Sequence, residues 1–221
     1  TLRHLNSKAR VLIFSSGTIY GTSHRLGKHL KEEASLRPMD PYSVSKMGID
    51  YLARLYVRVF GLQVLVVRLA NMTGPGQSII FSIPNFASQI ARMEAQRTPR
   101  ILEAGNLAAR RDYLDIRDGI EAIHQAMKHG KAGEAYNIAS GKSRSLKSVL
   151  YELIKLSKFK RSKIRIRVNQ KLIPKDEIPA IRLNSEKFKR LTGWRPKIRF
   201  QKTLVDLLRD WRSQDQKMTR K

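Results

Sequence analysis

No cysteine occurs in the 221 residues, so disulfide bridges, thiolate metal sites and cysteine nucleophiles are excluded together; a reducing compartment suits such a chain. Long apolar runs are missing as well. A membrane span needs roughly 18 consecutive apolar residues, and the run "VLIF" at 11–14 is too short even for the core of a secretion signal. A soluble, cytoplasmic protein with no membrane partner is expected. The five histidines, His4, His24, His29, His124 and His129, fall at no metal-ligand spacing, and no metal is expected. Internal repeats and low-complexity linkers are also lacking.

Acidic residues are scarce: 18 Asp and Glu stand against 44 Lys and Arg, a formal charge of +26. Such a surface attracts polyanions, whether nucleic acid, an acidic membrane or an anionic small substrate, although a general surface bias with no specific partner has the same composition. The basic residues are spread along the chain, with one dense stretch, "KFKRSKIRIR" at 158–167. There Lys163, Arg165 and Arg167 alternate with Ile164, Ile166 and Val168, the period of a half-exposed strand. This reads as a solvated strand face rather than a nucleic-acid groove.

What is present is a globular composition, 41% hydrophobic with only 8 prolines, in a chain long enough for one large or two small domains. "RVLIFSS" (10–16) has the short continuous apolar run of a buried parallel strand. Asp40 as cap and Pro41 at the first helical position then open a long helix that stops at Gly61. "QVLVVRLA" (63–70) is a second buried strand, and strand, long helix, strand makes a parallel crossover. Helices follow over 83–96, 115–130 and 145–157, with a strand in "EAYNIAS" (134–140). Asn184 is expected to cap another helix, 200–212 forms the last, and the residues after Trp211 read as a frayed tail.

One constellation carries chemistry. Tyr42 and Lys46 are four apart on a helix and share a face. A phenol ordinarily ionises near pH 10, and a nearby cation favours its phenolate form. Ser16, at the carboxyl end of a parallel strand, stands where open α/β sheets place their ligands. Tyr-x-x-x-Lys alone occurs by chance as an exposed pair in many helices. Its order here is more specific: apolar strand, Ser16, Tyr20-Gly21, Pro41-Tyr42, Lys46, apolar strand, Asn71, Gly74-Pro75-Gly76.

That series, with "LRPMDPYSVSK" (36–46), "GPGQSIIFSIPNFASQI" (74–90), "GNLAARRDYLDIRD" (105–118), "AYNIASG" (135–141) and "LTGWRPKI" (191–198), resembles the extended short-chain dehydrogenase/reductase family that acts on nucleotide sugars. The resemblance covers nearly the whole chain. It implies an α/β fold, the C-terminal part of a Rossmann-like doubly wound parallel sheet with a small α/β substrate-binding lobe. The implied cofactor is NADP, with NAD as the alternative, and the implied substrate is a GDP-sugar. Tyr42 becomes the acid-base, Lys46 its partner and a ligand of the nicotinamide ribose, and Ser16 a hydrogen-bond donor to the reacting C4 oxygen. Asn71 and Arg111 become substrate ligands, Arg111 at the nucleotide's phosphates, where a planar donor makes paired hydrogen bonds. An ion pair of Arg111 with Asp112 or Asp115 is the plainer reading of the same residue.

Two departures matter. Family members begin with a strand and a glycine-rich turn that cradles the cofactor's pyrophosphate. The glycines of this chain never form that motif, so an N-terminal segment or separate subunit is expected to supply it, and the chain alone is expected to be inactive. In "LIPKDEIP" (172–179) the family's phosphate-binding arginine is replaced by Ile173 or Pro174, while Glu177 keeps the ribose-binding position. In addition, dehydratases of the family carry a glutamate where this chain has Thr18. Its loss favours reduction of the C4 ketone of a GDP-4-keto-6-deoxy-hexose over dehydration, with 4,6-dehydration and 4-epimerisation as alternatives. The expected domains are a partial dinucleotide-binding domain (1–75 and 113–144), a substrate lobe (76–112 and 145–213) and a frayed tail (214–221). The resemblance further implies a homodimer through the helix after Pro41. A reading of another class is a non-catalytic protein whose basic surface binds nucleic acid.

Overall fold

The computed structural model describes residues 8–23, 29–95, 98–160, 163–174 and 177–219. His4, His24, Gln96, Lys175 and Asp176 of the expectations above lie outside them. The chain divides into two units.

The first unit comprises Thr1–Met72, Asp112–Ser143 and Ala180–Lys197. Its centre is a parallel sheet of β1 (Val11–Ser16), β2 (Val64–Leu69) and β6 (Ala135–Ile138), in the order β1-β2-β6. Val11 lies opposite Val64, and Val66 opposite Ala135. Between β1 and β2 runs α1 (Pro41–Phe60) and before β6 runs α3 (Ile116–His129), the crossover connections that parallel strands require. Strand period two sorts the side chains of β2 to opposite faces. Leu65 and Val67 pack with Leu114, Ala122, Ala126, Tyr136 and Phe188, whereas Val64 and Val66 pack with Ala53 of α1 and Ala135. The sheet is therefore covered on both faces, and the continuous apolar runs of β2 and β6 follow from that.

α1 starts and stops as its sequence dictates. The Asp40 carboxylate accepts from Ser43 N at 2.6 Å while Ser43 Oγ accepts from Asp40 N at 3.2 Å, a reciprocal cap. Gly61 ends the helix in the left-handed conformation at φ 65°. Its pattern, however, is not the usual one. Ser43, Asp50 and Ala53 are buried against the sheet, and Tyr51, Leu52, Leu55 and Tyr56, which carry the apolar periodicity, face outward.

The second unit comprises Thr73–Arg111, Arg144–Pro179 and Ile198–Lys221. Its helices are α2 (Ser82–Glu94), α4 (Leu146–Leu156) and α6 (Phe200–Thr219). They pack through Phe86 and Ile90, Val149 and Leu153, and Leu204 and Leu207. Strands β4 (Ile101–Ala104) and β8 (Arg165–Val168) pair in parallel, with Ile101 opposite Arg165. Three short strands, β3 (Asn71–Thr73), β5 (Arg110–Asp115) and β7 (Ser143–Ser145), each carry residues of both units.

Three expectations need correction. Residues 180–197 belong to the first unit, because Leu30 bridges Leu183 and because Phe188 of α5 (Glu186–Thr192) and Trp194 sit in its core. The cap position of α5 is Ser185, one residue later than expected, but its hydroxyl donates to Ala139 O at 3.2 Å and makes no capping bond; the Asn184 side chain does so, accepting from Glu186 N at 2.8 Å. The residues after Trp211 do not fray at that point. α6 continues to Thr219, held by Arg212, which grips the Glu94 carboxylate at 2.7 and 2.8 Å and the Leu156 carbonyl at 3.1 Å. Polar sequence hid this, because the anchor is an ion pair and not an apolar face.

Candidate active site

The cap on α1 fixes Tyr42 in its first turn and Lys46 in its second. Lys46 Nζ lies 5.7 Å from the centroid of the Tyr42 ring, and it donates to the carbonyl oxygen of Phe14 at 2.9 Å. Ser15 Oγ donates to Lys46 O at 3.2 Å. These contacts stitch the second turn of α1 to the carboxyl end of β1, two residues before Ser16. The Tyr42 side chain is 55% exposed, so its phenol is open to a ligand.

Ser16 closes β1 and opens the 3-10 turn Gly17–Tyr20. Its oxygen accepts from Thr18 N at 3.2 Å and from the Thr18 hydroxyl at 2.9 Å. Both contacts come from one residue, Thr18. Gly21 follows at φ 50°, and a Cβ there would lie 1.6 Å from Arg37 O. Only glycine fits this turn.

A buried network that sequence reading missed supports this face. Arg68 is 1% exposed. Its Nε and Nη2 meet the two oxygens of Asp50 at 2.8 and 3.0 Å, and its Nη1 donates to Tyr20 Oη at 2.9 Å and Glu32 O at 2.7 Å. Tyr20 in turn donates to Asn137 Oδ1 at 2.9 Å, and Asn137 N to Glu32 Oε1 at 2.8 Å. Burial pushes the Tyr20 phenol up to about 12 despite the opposing Arg68 cation, and burial raises Glu32. Burial also works against the Arg68 charge, but the hydrogen bonds and charge of Asp50 outweigh it, and Arg68 is held above its ordinary value. The signal was legible: an arginine inside "VLVVRLA" shares the α1-facing parity of Val64 and Val66, and a buried cation requires a carboxylate partner.

In the second unit Arg111 Nη1 donates to Ile178 O at 2.6 Å, and Nη2 lies 3.6 Å from Glu177 Oε1. Glu177 Oε2 accepts from Asn106 Nδ2 at 2.6 Å. The structure thus joins Arg111 to Glu177, while Asp115 pairs with Arg117 at 2.8 Å. Asp112 accepts from Ser140 N, Ser140 Oγ and Gly141 N at 3.0, 2.6 and 2.8 Å. Burial raises its carboxyl to about 6, against the pull of those donors and of the Arg182 charge. Asn71, in the first unit, is exposed at the start of β3. Ser16, Tyr42 and Lys46 are thus held on one pair of elements, and Arg111 and Glu177 on another.

Comparison with known proteins decides the family: the one described as GDP-mannose 4,6 dehydratase matches residues 1–207. The chain belongs to this family. Its members are extended short-chain dehydrogenases/reductases, and the Rossmann-like α/β fold above is theirs. GDP-6-deoxy-D-mannose reductase of Pseudomonas aeruginosa is 32% identical to this family member over 202 residues, 91% of this chain and 66% of that protein. GDP-6-deoxy-D-talose 4-dehydrogenase of Aggregatibacter actinomycetemcomitans is 28% identical, over 78% of this chain and 55% of that one. The chain therefore spans about two thirds and about half of these relatives' lengths. A structure of RMD from Pseudomonas aeruginosa complexed with NADPH superposes with a TM-score of 0.88 at 30% identity, covering 96% of this chain and 70% of that one. That of dTDP-glucose 4,6-dehydratase from Bacillus anthracis in complex with NAD gives 0.80 at 26% identity, covering 94% and 63%. Among the described residues of this family member, no helix is long and apolar enough to cross a membrane.

Proposed function

We propose that the protein is an NADP-dependent nucleotide-sugar reductase that converts the C4 ketone of a GDP-4-keto-6-deoxy-hexose to an alcohol. The observation that carries this reading is the position of Lys46, whose ammonium group bonds the Phe14 carbonyl and lies 5.7 Å from the Tyr42 ring centroid, near the carboxyl end of β1, where such sheets bind ligands.

Tyr42 donates its phenolic proton to the C4 oxygen as negative charge develops there, and the Lys46 cation stabilises the phenolate left behind. Ser16 donates a hydrogen bond to the same oxygen, keeping its proton, and orients it. When bound, a nicotinamide dinucleotide supplies the hydride to C4. The residues present fit its nicotinamide end, since the Tyr42 hydroxyl and the Lys46 ammonium are donors suited to a ribose. The pyrophosphate cradle is assigned to a preceding segment or partner subunit; β1 is the edge of its sheet, with Phe14 45% exposed, and offers a place for added strands. Arg111, held by Arg110 O, Ile178 O and Glu177, contributes its positive charge to binding the nucleotide's phosphates. Glu177 accepts from the nucleotide ribose, and Asn71 contacts the sugar diphosphate.

Reduction is favoured over 4,6-dehydration because Thr18 offers a hydroxyl, already donated to Ser16, where elimination needs a carboxylic acid. The similarity to the Pseudomonas reductase points the same way. The outward apolar face of α1, including Val44, Leu52, Leu55, Tyr56 and Val59, is assigned to a second copy of the chain in a homodimer. The protein encoded by the whole reading frame should oxidise NADPH with GDP-4-keto-6-deoxy-mannose and yield the 6-deoxy sugar. Conversion of GDP-mannose to the 4-keto sugar, with no net consumption of cofactor, would assign dehydration instead.

A further inference from the structure

The substrate site leaves a dense run of positive charge unused. Between Glu152 and Asp176 the chain holds nine Lys and Arg and no Asp or Glu. In the second unit Lys155, Lys158, Lys160, Lys163, Arg165 and Lys171 of this stretch are exposed. They run from the last turn of α4 to just beyond β8, an edge strand paired only with β4 among the described residues.

Local structure turns this composition into a surface. Ile164 is buried and Ile166 half-buried, which directs Lys163, Arg165 and Arg167 to the opposite face at intervals of about 6.6 Å, twice the strand rise. Nearby acids are already committed. Glu103 of β4 bonds Arg167 and Asn169, and Glu94 bonds Arg212 and the Lys158 amide. Neither neutralises Lys163 or Arg165. At one end the Arg100 guanidinium lies 4.6 Å from the centroid of the half-buried Phe159 ring, a planar cationic surface of the kind on which bases stack.

We infer that the β8 strip, solvated as its sequence pattern predicts, is in addition a binding surface for single-stranded nucleic acid, contrary to the reading of the sequence alone. A row of cations one strand wide neutralises a single phosphate backbone, flexible enough to follow the strand twist, and the Arg100–Phe159 pair receives a base at its end. An anionic membrane is a poorer match, because this row is narrow and its exposed apolar neighbours, Val168 and Leu172, are two isolated side chains rather than an inserting face.

The test is fluorescence anisotropy of a short labelled oligothymidine with the whole protein, from about 50 to about 200 mM salt. Four phosphate contacts give a slope of about −3 in log K against log salt, from the factor of 0.7 per contact for single strands. The triple variant Lys160→Gln/Lys163→Gln/Arg165→Gln should weaken binding and bring the slope to about −1. A control with the same charge loss on the first unit, Arg58→Gln/Lys128→Gln/Lys131→Gln, should bind like the unaltered protein. Lys155→Gln/Lys158→Gln/Lys171→Gln, outside the strand, removes at most one of the four contacts and should shift the slope by less than about 1. Equal losses in strip and control variants would mean attraction to net charge alone and would overturn the assignment. So would absence of salt-sensitive binding, or retention on phosphatidylserine vesicles that oligothymidine does not displace.

Discussion

Arg68 and Asp50 meet in a two-point ion pair inside the first unit, 2.8 and 3.0 Å apart, with both side chains sealed from solvent. The pair joins β2 to the middle of α1, one turn beyond Lys46. Through Tyr20 it also reaches the turn that begins at Ser16. The helix that carries Tyr42 and the turn that carries Ser16 are therefore referred to one buried cation.

Removing Asp50 leaves the buried Arg68 charge uncompensated, whereas removing Arg68 leaves Asp50 with Arg54, 3.0 Å away and partly exposed. Asp50→Ala should therefore lower unfolding stability by about 3–5 kcal/mol, and Arg68→Ala by less. The apolar double substitution Asp50→Leu/Arg68→Met should recover much of the loss. Urea unfolding of the single and double variants measures both, and two losses that simply add would refute the coupling.

Gly21→Ala tests the turn after Ser16. Here φ is positive and a methyl group would meet a backbone oxygen, not a yielding side chain. The substitution should cost roughly 3 kcal/mol or more, through strain and displacement of the 37–39 segment. Gly61→Ala, also at positive φ but in open space, should cost only about 1 kcal/mol. Thermal melts of the two variants should separate clearly.

The polar end of α6 is expected to contribute stability. Arg212→Met leaves the nearly buried Glu94 carboxylate without its two-point partner, a loss of roughly 2 kcal/mol. Truncation after Trp211 should match it. An unchanged urea midpoint in either variant would restore the view that these residues are a loose tail.

Asp112 sets a pH signature. Burial raises its carboxyl to about 6 in the native state, against an ordinary 3.8. Between about pH 4 and pH 6 the native state thus holds a proton that the unfolded chain has released, so this group's contribution to stability is full below pH 4 and is lost as pH rises through 6. Two units correspond to roughly 3 kcal/mol. The stability of the unaltered protein relative to Asp112→Asn should therefore fall across this window; a difference that is flat, or that rises with pH, would contradict the assignment.

The structure also shows which features the sequence made legible. Continuous apolar runs and the Asp40-Pro41 start located the parallel strands and α1, because burial on both faces and capping are local in their chemistry. The Tyr42–Lys46 pair was legible for the same reason, being one turn of one helix. Long-range pairs were not. Arg68 announces a need for a partner but does not identify Asp50, and Arg212 looks solvated until Glu94 is placed beside it. Residues 180–197 read as a continuation of the lobe because nothing local reveals that Leu183 returns to Leu30. The apolar residues of α1 misled in the opposite sense: periodicity marks a face that seeks burial, and in this chain that face is exposed.

The most direct measurement is the turnover of Tyr42→Phe in the protein encoded by the whole reading frame, with GDP-4-keto-6-deoxy-mannose and NADPH, alongside its affinity for NADPH. Loss of the phenolic proton should lower kcat by about 10²–10⁴-fold while the affinity for NADPH changes by no more than a few-fold. Turnover equal to that of the unaltered protein would show that the proton reaches the sugar oxygen from another group and that the Lys46-supported phenol is not the acid.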